Sequence, residues 1–484
     1  MKKLLQLSSL TLTIVFCSID KSTAQFNIEF EKTFGDTDEV YKGFCARQTP
    51  EGGYVEIGTL YFPHVPGEIG LRPRSSVIIK TDSAGNELWR KDSADIPLLD
   101  LAETKSIKVT HDSGFIITGG WGYGMPDVLL LKTDKNGNHQ WSKNIDSLDG
   151  YDSPLGFSWE SGSEVIQAYD GGYIVTGETS FPDLLLLKTD SVGNVQWVTL
   201  DTINLAGRGR ALIEAEDNTI LVLGSRSDHD WYLAKYDPNG NKIWGRAYNW
   251  TRYLDGYDVK ITPEGQYLIL VYGQQQTVPI VNINIPQATL LIKTDTAGNV
   301  LWQKEFIDFE GRDMDISHTN NYVITGYAQD SINAVAGVWL MATDSSGTTL
   351  FDTIYAGYSQ SSSIQTTADS GYIVSGTNAN SIYLLKIQGN DTVTTLDNTS
   401  ALINNNLRIY PNPSFDHIFI RSDVKENIAL YIYDITGQHF GEFIIASGTE
   451  GLSISVSNFE KGLYFFILKD KFNSIIATNK IQIN

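Results

Sequence analysis

The chain has 484 residues, 41% of them hydrophobic, with 43 glycines and a formal charge of −21. That length fits two or three domains, and the glycine content fits a globular protein rich in turns. The acidic balance argues against nucleic acid, because neutralising phosphates takes clustered Lys and Arg, and it suits an extracellular protein.

The chain opens with Lys2 and Lys3, a mostly apolar stretch from Leu4 to Ile19, and the small-x-small site Ser22-Thr23-Ala24. This predicts a signal peptide over 1–24 and a mature chain starting at Gln25. The apolar stretch is too short and too polar for a membrane span. Phe16 stands before Cys17 where a lipid-anchored cysteine wants a small residue. Cleavage leaves Cys45 as the only cysteine, so no disulfide forms within one mature chain. In the alternating run YKGFCAR it reads as a buried small side chain.

Residues 25–391 repeat a unit of about fifty residues, a period that signals propellers. Each unit carries two signposts. The first is a glycine turn entering a β-branched run, as in DSGFIITG and DGGYIVTG. The second is the KTD turn at Asp82, Asp134, Asp190, Asp237, Asp295 and Asp344, with a degraded copy ending at Asp391. Asp-x-x-Gly matches a type I turn, with Asp first and Gly fourth. Each tip therefore joins two strands, and Trp89, Trp141, Trp197, Trp244, Trp302 or Phe351 returns along the next. A ring repeated in every unit reads as packing between units. One carboxylate per tip is too few for calcium, which takes roughly six to eight oxygens.

Each unit thus holds four strands, the content of a propeller blade. The last unit lacks its Trp strand, and NIEFEKTFGDTDE near the N-terminus resembles that strand in LWQKEFIDFEGRD. The expected fold is all-β: a seven-bladed β-propeller closed by the N-terminal strand, followed by a small Ig-like β-sandwich. The tips are similar to those of quinoprotein-like propellers and, more loosely, to the Asp-boxes of sialidases. Their spacing departs from both by a residue, and no cofactor carries over.

Residues 392–406 read as a polar linker. From 407 to 484, alternating apolar runs separated by turns suggest the antiparallel sandwich. Three motifs follow in order: Tyr410-Pro411-Asn412-Pro413, Tyr433-Asp434-Ile435-Thr436-Gly437, and Lys461-Gly462-Leu463-Tyr464. This segment resembles the type A C-terminal sorting domain of the type IX secretion system of Bacteroidota. Tyr410, Pro411, Asn412, Pro413, Asp434, Gly437, Gly462 and Tyr464 carry the resemblance. It implies export across the outer membrane by the type IX machinery, after passage through the periplasm, and then release or surface attachment.

Function on such scaffolds sits on variable loops. The loops joining units, and those between second and third strands, differ in length and share one face. Their non-repeated residues are the ligand-binding candidates: Trp121, Tyr123, Trp159, Arg208, Arg210, His229, Trp250, Arg252, Tyr253 and Arg312. Trp121 and Trp250 are expected to be exposed anchors there, and Trp141 and Trp197 to be scaffold. No HExxH or GxSxG pattern occurs, and no metal site or cofactor is expected. The leading expectation is a secreted or surface propeller binding a glycan, peptide or matrix component. The alternative is a propeller hydrolase acting on carbohydrate polymers.

Overall fold

The computed structural model describes residues 27–35, 39–62, 73–122, 126–145, 160–179, 183–201, 207–225, 230–248, 252–275, 288–307, 309–330, 335–356, 359–388, 407–410, 417–422, 428–434, 438–445, 452–456, 459–469 and 475–483. The expected signal peptide (1–24) and linker (392–406) lie outside the described residues. Among the described residues, one short 3-10 turn, Pro97–Leu99, interrupts an otherwise all-β fold.

After β1 (Ile28–Phe34) the strands fall into sheets of four. The first holds β2 (Val40–Gln48), β3 (Tyr54–Tyr61), β4 (Pro73–Thr81) and β5 (Glu87–Lys91). The second holds β6 (Ala102–Val109), β7 (Phe115–Trp121), β8 (Asp127–Thr133) and β9 (His139–Ile145). In the third are β10 (Glu160–Gln167), β11 (Tyr173–Thr179), β12 (Leu184–Thr189) and β13 (Val195–Asp201). The fourth comprises β14 (Arg208–Glu214), β15 (Ile220–Ser225), β16 (Trp231–Tyr236) and β17 (Lys242–Tyr248). The fifth comprises β18 (Arg252–Ile261), β19 (Tyr267–Gln275), β20 (Ala288–Thr294) and β21 (Val300–Ile307). The sixth runs β22 (Phe309–Ile316), β23 (Tyr322–Asp330), β24 (Val335–Thr343) and β25 (Thr349–Ala356). The seventh takes β26 (Ser359–Thr366), β27 (Tyr372–Asn378) and β28 (Ser381–Ile387), with β1 as its fourth strand, antiparallel to β28.

Each sheet packs on the next, and the seventh packs on the first. Ile373, Ile382 and Leu384 share one core with Tyr41, Tyr54 and Val77, and Tyr41 N–H donates to the Asn380 carbonyl at 2.7 Å. Seven four-stranded sheets in this cyclic order have the architecture of a β-propeller. Middle strands are sandwiched between neighbouring sheets, which is why Leu184-Leu185-Leu186-Leu187 is buried throughout rather than alternating.

The tips behave as their sequence predicts. Asp134 Oδ1 accepts from the N–H groups of Asn136 and Asn138, both at 2.8 Å, and Gly137 N–H closes the turn on the Asp134 carbonyl at 3.1 Å. Gly137 takes φ +75°, and a Cβ there would come within 2.5 Å of the Trp89 ring of the preceding sheet. The same contact joins Gly193 to Trp141 and Gly240 to Trp197. On the first sheet Gly85 meets Phe30 of β1 in this way. Lys32 then reaches Asn86 as Lys143 reaches Asn194, each at 3.1 Å. The rings are half-buried rather than fully enclosed.

The lysine of each KTD has a partner that explains the repeat. It is buried or nearly so, and its ammonium meets a carboxylate in the glycine turn of the same sheet: Lys80–Glu51, Lys132–Asp112, Lys188–Asp170, Lys235–Asp217, Lys293–Glu264 and Lys386–Asp369, at 2.7 to 3.5 Å. A buried ammonium without a partner is costly, so lysine and acid stand or fall together. The sixth sheet has lost both, with Ala342 in the lysine position and Thr319 in the acid position. Burial works against the charge of Asp112, Asp170 and Asp369. Hydrogen bonds and the lysine nonetheless hold each carboxyl below its ordinary 3.8.

Nearer the C-terminus, β29 (Leu407–Tyr410), β30 (His417–Ser422) and β33 (Leu452–Ser455) form one sheet, ordered β29-β30-β33. A second, ordered β32-β31-β34-β35, is built from β31 (Ile428–Asp434), β32 (His439–Ile445), β34 (Gly462–Lys469) and β35 (Ile475–Ile483). Ile418, Leu430, Ile454, Tyr464, Phe466 and Ile481 make a core common to the two.

The clamp is testable in the sixth sheet. Ala342→Lys alone is expected to destabilise the protein by about 2–4 kcal/mol, and adding Thr319→Asp to recover a large part of that. The recovery depends on pH. A carboxyl whose folded pKa is depressed contributes stability above its unfolded pKa and loses it as pH falls through the folded one. A double-mutant cycle by thermal melting should therefore show coupling at pH 7 and little at pH 2. No coupling at pH 7 would refute the clamp.

Candidate functional site

The seven first strands, β2, β6, β10, β14, β18, β22 and β26, contact one another in a closed cycle. They therefore surround the central channel. Each carries a β-bulge at the same register, between Gly43/Cys45, Thr104/Ser106, Gly162/Glu164, Gly209/Ala211, Gly256/Asp258, Gly311/Asp313 and Ser361/Ser363. A bulge leaves one residue unpaired and re-aims its side chain. Those residues are Phe44, Lys105, Ser163, Arg210, Tyr257, Arg312 and Ser362, and all are partly exposed, each directly after a buried residue.

The residue after the bulge serves the scaffold. Glu164 accepts from Leu212 N–H at 2.9 Å, Asp258 from Met314 N–H at 3.3 Å, Asp313 from Ile364 N–H at 2.8 Å, and Ser363 from Ala46 N–H at 3.1 Å. Cys45, buried as its sequence suggests, points its Sγ at the Ile107 carbonyl, 3.7 Å away. Side chains of one sheet thus occupy the inner edge of the next.

Deeper in the channel lies a charge network. Lys108 pairs with Glu164 at 2.7 Å and Lys260 with Asp258 at 2.5 Å. Arg47 feels the carboxylates of Asp313, Glu164 and Asp315. Burial opposes the charge of Glu164, but Lys108 and Lys260 hold its carboxyl below the ordinary range. Burial raises Asp258, and Asp313 and Glu164 add to that against the pull of Lys260. Among the described residues, no three His, Cys, Asp or Glu are placed to hold a metal ion.

The bulge residues differ in how they are partnered. Lys105 lies 3.6 Å from the buried Glu178, which also takes Arg208 Nε at 2.7 Å. Arg312 donates to the Tyr257 hydroxyl at 2.9 Å, stacks over that ring at 5.0 Å and ion-pairs with Glu310. Ser163 Oγ is buried and has no hydrogen-bond partner among the described residues. Arg210, on the next sheet at the same register, likewise has neither a hydrogen bond nor an ion pair among them.

Several residues expected on loops stand on strands instead. Arg208 and Arg210 belong to β14 and Arg312 to β22. Trp121 ends β7, opposite Ala102 and Asp127, and packs half-buried on the core around Leu99 and Ile117. Its Nε1 is buried without a partner among the described residues. The expectation of a freely exposed ring at Trp121 is corrected: strand pairing carries it into the wall. Arg252 and Tyr253 lie on β18, their side chains outside the described residues, as are Tyr123, Trp159, His229 and Trp250. Of the sorting motif, Tyr410 ends β29, Asp434 ends β31, Gly462 opens β34 and Tyr464 is buried. Pro411, Asn412, Pro413 and Gly437 lie outside the described residues. Sequence reasoning missed Phe44, Lys105, Ser163, Tyr257 and Ser362. The signal was the shared position after the Gly, Thr or Ser that opens each bulge.

Residues 408–484 match the secretion system C-terminal sorting domain family. The chain therefore carries a type IX sorting tail, which implies export to the cell surface or medium and contact with the type IX machinery. No curated protein sequence matches the chain significantly. Among solved structures, PorZ, a surface component of the type IX system of Porphyromonas gingivalis, is 12% identical with a TM-score of 0.43, over 90% of this chain and 58% of that one. A streptogramin B lyase is 10% identical with a TM-score of 0.48, over 74% of this chain and 98% of that one. YCF48 bound to D1 peptide is 13% identical with a TM-score of 0.45, over 76% and 99%. The architecture rests on the sheet order, not on these distant likenesses.

Proposed function

We propose that the protein is a secreted or cell-surface binding protein of a Bacteroidota bacterium, holding a glycan, peptide or matrix component at the channel mouth on its variable-loop face. The signal peptide (1–24) takes it to the periplasm, and an Ig-like sorting domain (407–484), after the linker (392–406), takes it onward. The propeller (25–391) is closed by β1. Phe30 and Lys32 support this, since they repeat the contacts that Trp141 and Lys143 make.

One observation carries the binding reading. On a scaffold that repeats its tips, clamps and core, the bulge residues repeat in register but not in chemistry: an aromatic, a lysine, serines, arginines and a tyrosine. Rigid walls bearing varied polar and aromatic side chains suit ligand recognition. Arg208, Arg210, Arg312 and Trp121 belong to this mouth by strand position. The other sequence candidates, Tyr123, Trp159, His229, Trp250, Arg252 and Tyr253, remain part of the proposed rim.

The hydrolase reading draws on Asp258 and Glu164, whose carboxyls are shifted in opposite directions, as acid–base pairs often are. Both, however, accept backbone N–H groups of the next sheet. That use ties them to the scaffold and leaves binding as the preferred reading.

Each part has its expected outcome. A chain ending before Leu407 should accumulate in the periplasm; normal surface or medium levels would refute type IX export. Removing Asn27 to Phe34 from the mature chain should lower its melting temperature, since the seventh sheet then exposes an edge. Unchanged melting would refute closure by β1. The full secreted chain should bind on a glycan or peptide array, and a blank on both would overturn the binding reading.

A further inference from the structure

The bulge ring contains one anomaly. Lys105 and Arg312 face carboxylates, and Tyr257 holds Arg312. Arg210 is half-buried in the channel wall with no such partner among the described residues. Ser163 Oγ, at the same register one sheet away, is buried and unpartnered among them as well. Partly desolvated polar groups without partners call for an explanation, and a ligand that is not present is one. A guanidinium offers paired N–H donors in a fixed fork that matches a carboxylate.

The surroundings narrow the class. Asp255 on the adjacent β18 has no hydrogen-bond or ion-pair partner among the described residues, and Glu178 lies on the neighbouring β11. With a chain charge of −21, these carboxylates repel a densely anionic ligand such as an acidic peptide. They accept hydrogen bonds from hydroxyls. Tyr257 on β18, partly exposed at the same register, offers an aromatic surface with Arg312 stacked over its ring. One carboxylate set among hydroxyls on a ring with an apolar face describes a uronic acid.

We infer that the mouth over the third to fifth sheets binds a uronate unit of a polysaccharide, with Arg210 holding its carboxylate and Ser163 and Asp255 its hydroxyls. This rests on the binding reading above and names its ligand class.

The probes are a xylan oligosaccharide bearing one glucuronate, the same oligosaccharide with that carboxyl reduced to the alcohol, and oligo-glutamate. Titration calorimetry on the full secreted chain should show binding of the first. Binding should weaken about tenfold or more on carboxyl reduction, and about as much in Arg210→Gln, the loss expected for one charge-assisted contact. Arg210→Lys should lose less than Arg210→Gln. Because Arg210 has no partner among the described residues, melting should be unchanged in both variants. Equal binding of the acid and reduced oligosaccharides overturns the uronate assignment but leaves the mouth as a sugar site. Preference for oligo-glutamate overturns it in favour of a peptide. Unaltered binding by Arg210→Gln removes Arg210 from the site. No binding of any probe overturns the inference, and the array then decides separately whether the face binds anything.

Discussion

At most of the seven inner seams a side chain from one sheet occupies the inner edge of the next, and the rest of the molecule is arranged around that link. A strand edge presents unpaired N–H and C=O groups, which are costly when cut off from water and adhesive when exposed. Seven radial sheets bring seven such edges to one axis. Here the residue after the bulge reaches across: Glu164 to Leu212, Asp258 to Met314, Asp313 to Ile364, and Ser363 back to Ala46. The last of these joins the seventh sheet to the first, so the link contributes to closing the ring as well as to stacking it. The bulge is what aims that residue sideways, and it leaves the residue before it pointing elsewhere, into the channel.

The outer edge is handled by different chemistry. A tip glycine at positive φ comes close against the aromatic ring of the preceding sheet, and any side chain there would collide with the ring. This is why the Gly and the Trp recur together in sequence although they serve adjacent sheets. The lysine clamp acts within one sheet, tying its glycine turn to its tip. The sixth sheet shows that the pair is a unit, since lysine and acid are replaced together by Ala342 and Thr319. Sheets one to five and seven keep both.

Much of this was legible in the sequence because it is periodic. The tips, the glycine turns, the returning tryptophans and the substitute strand at Asn27 to Phe34 all declare themselves by recurrence. The sorting motifs are legible for another reason, their fixed order and spacing. The site was less legible. A bulge breaks the two-residue alternation that sequence patterns rely on, so Lys105, Ser163 and Tyr257 read as ordinary strand residues. Arg210 and Arg312 stand out only because arginine is conspicuous, and in sequence they read as loop residues, although both stand on strands. Trp121 misled in the opposite direction. Flanked by glycines it reads as loop, yet β7 extends far enough to press it onto the core.

The two faces of the propeller are consequently under different constraints. On the tip face, Asp, Gly, Lys and the partner acid are each fixed by a contact to another repeated residue, so change in one requires change in a second. At the bulge the constraint ends. The seam is made by the residue that follows, and the backbone irregularity persists whatever side chain the bulged residue bears, as Phe44, Ser163, Arg210 and Tyr257 demonstrate within one chain. Substituting Glu164 or Asp313 strands a backbone N–H at an inner edge, whereas substituting the residue just before either leaves that hydrogen bond in place. The channel mouth is therefore where side chains on this fold can change with least disturbance to its stability, and Arg210, half-buried and without a partner among the described residues, stands at one such position.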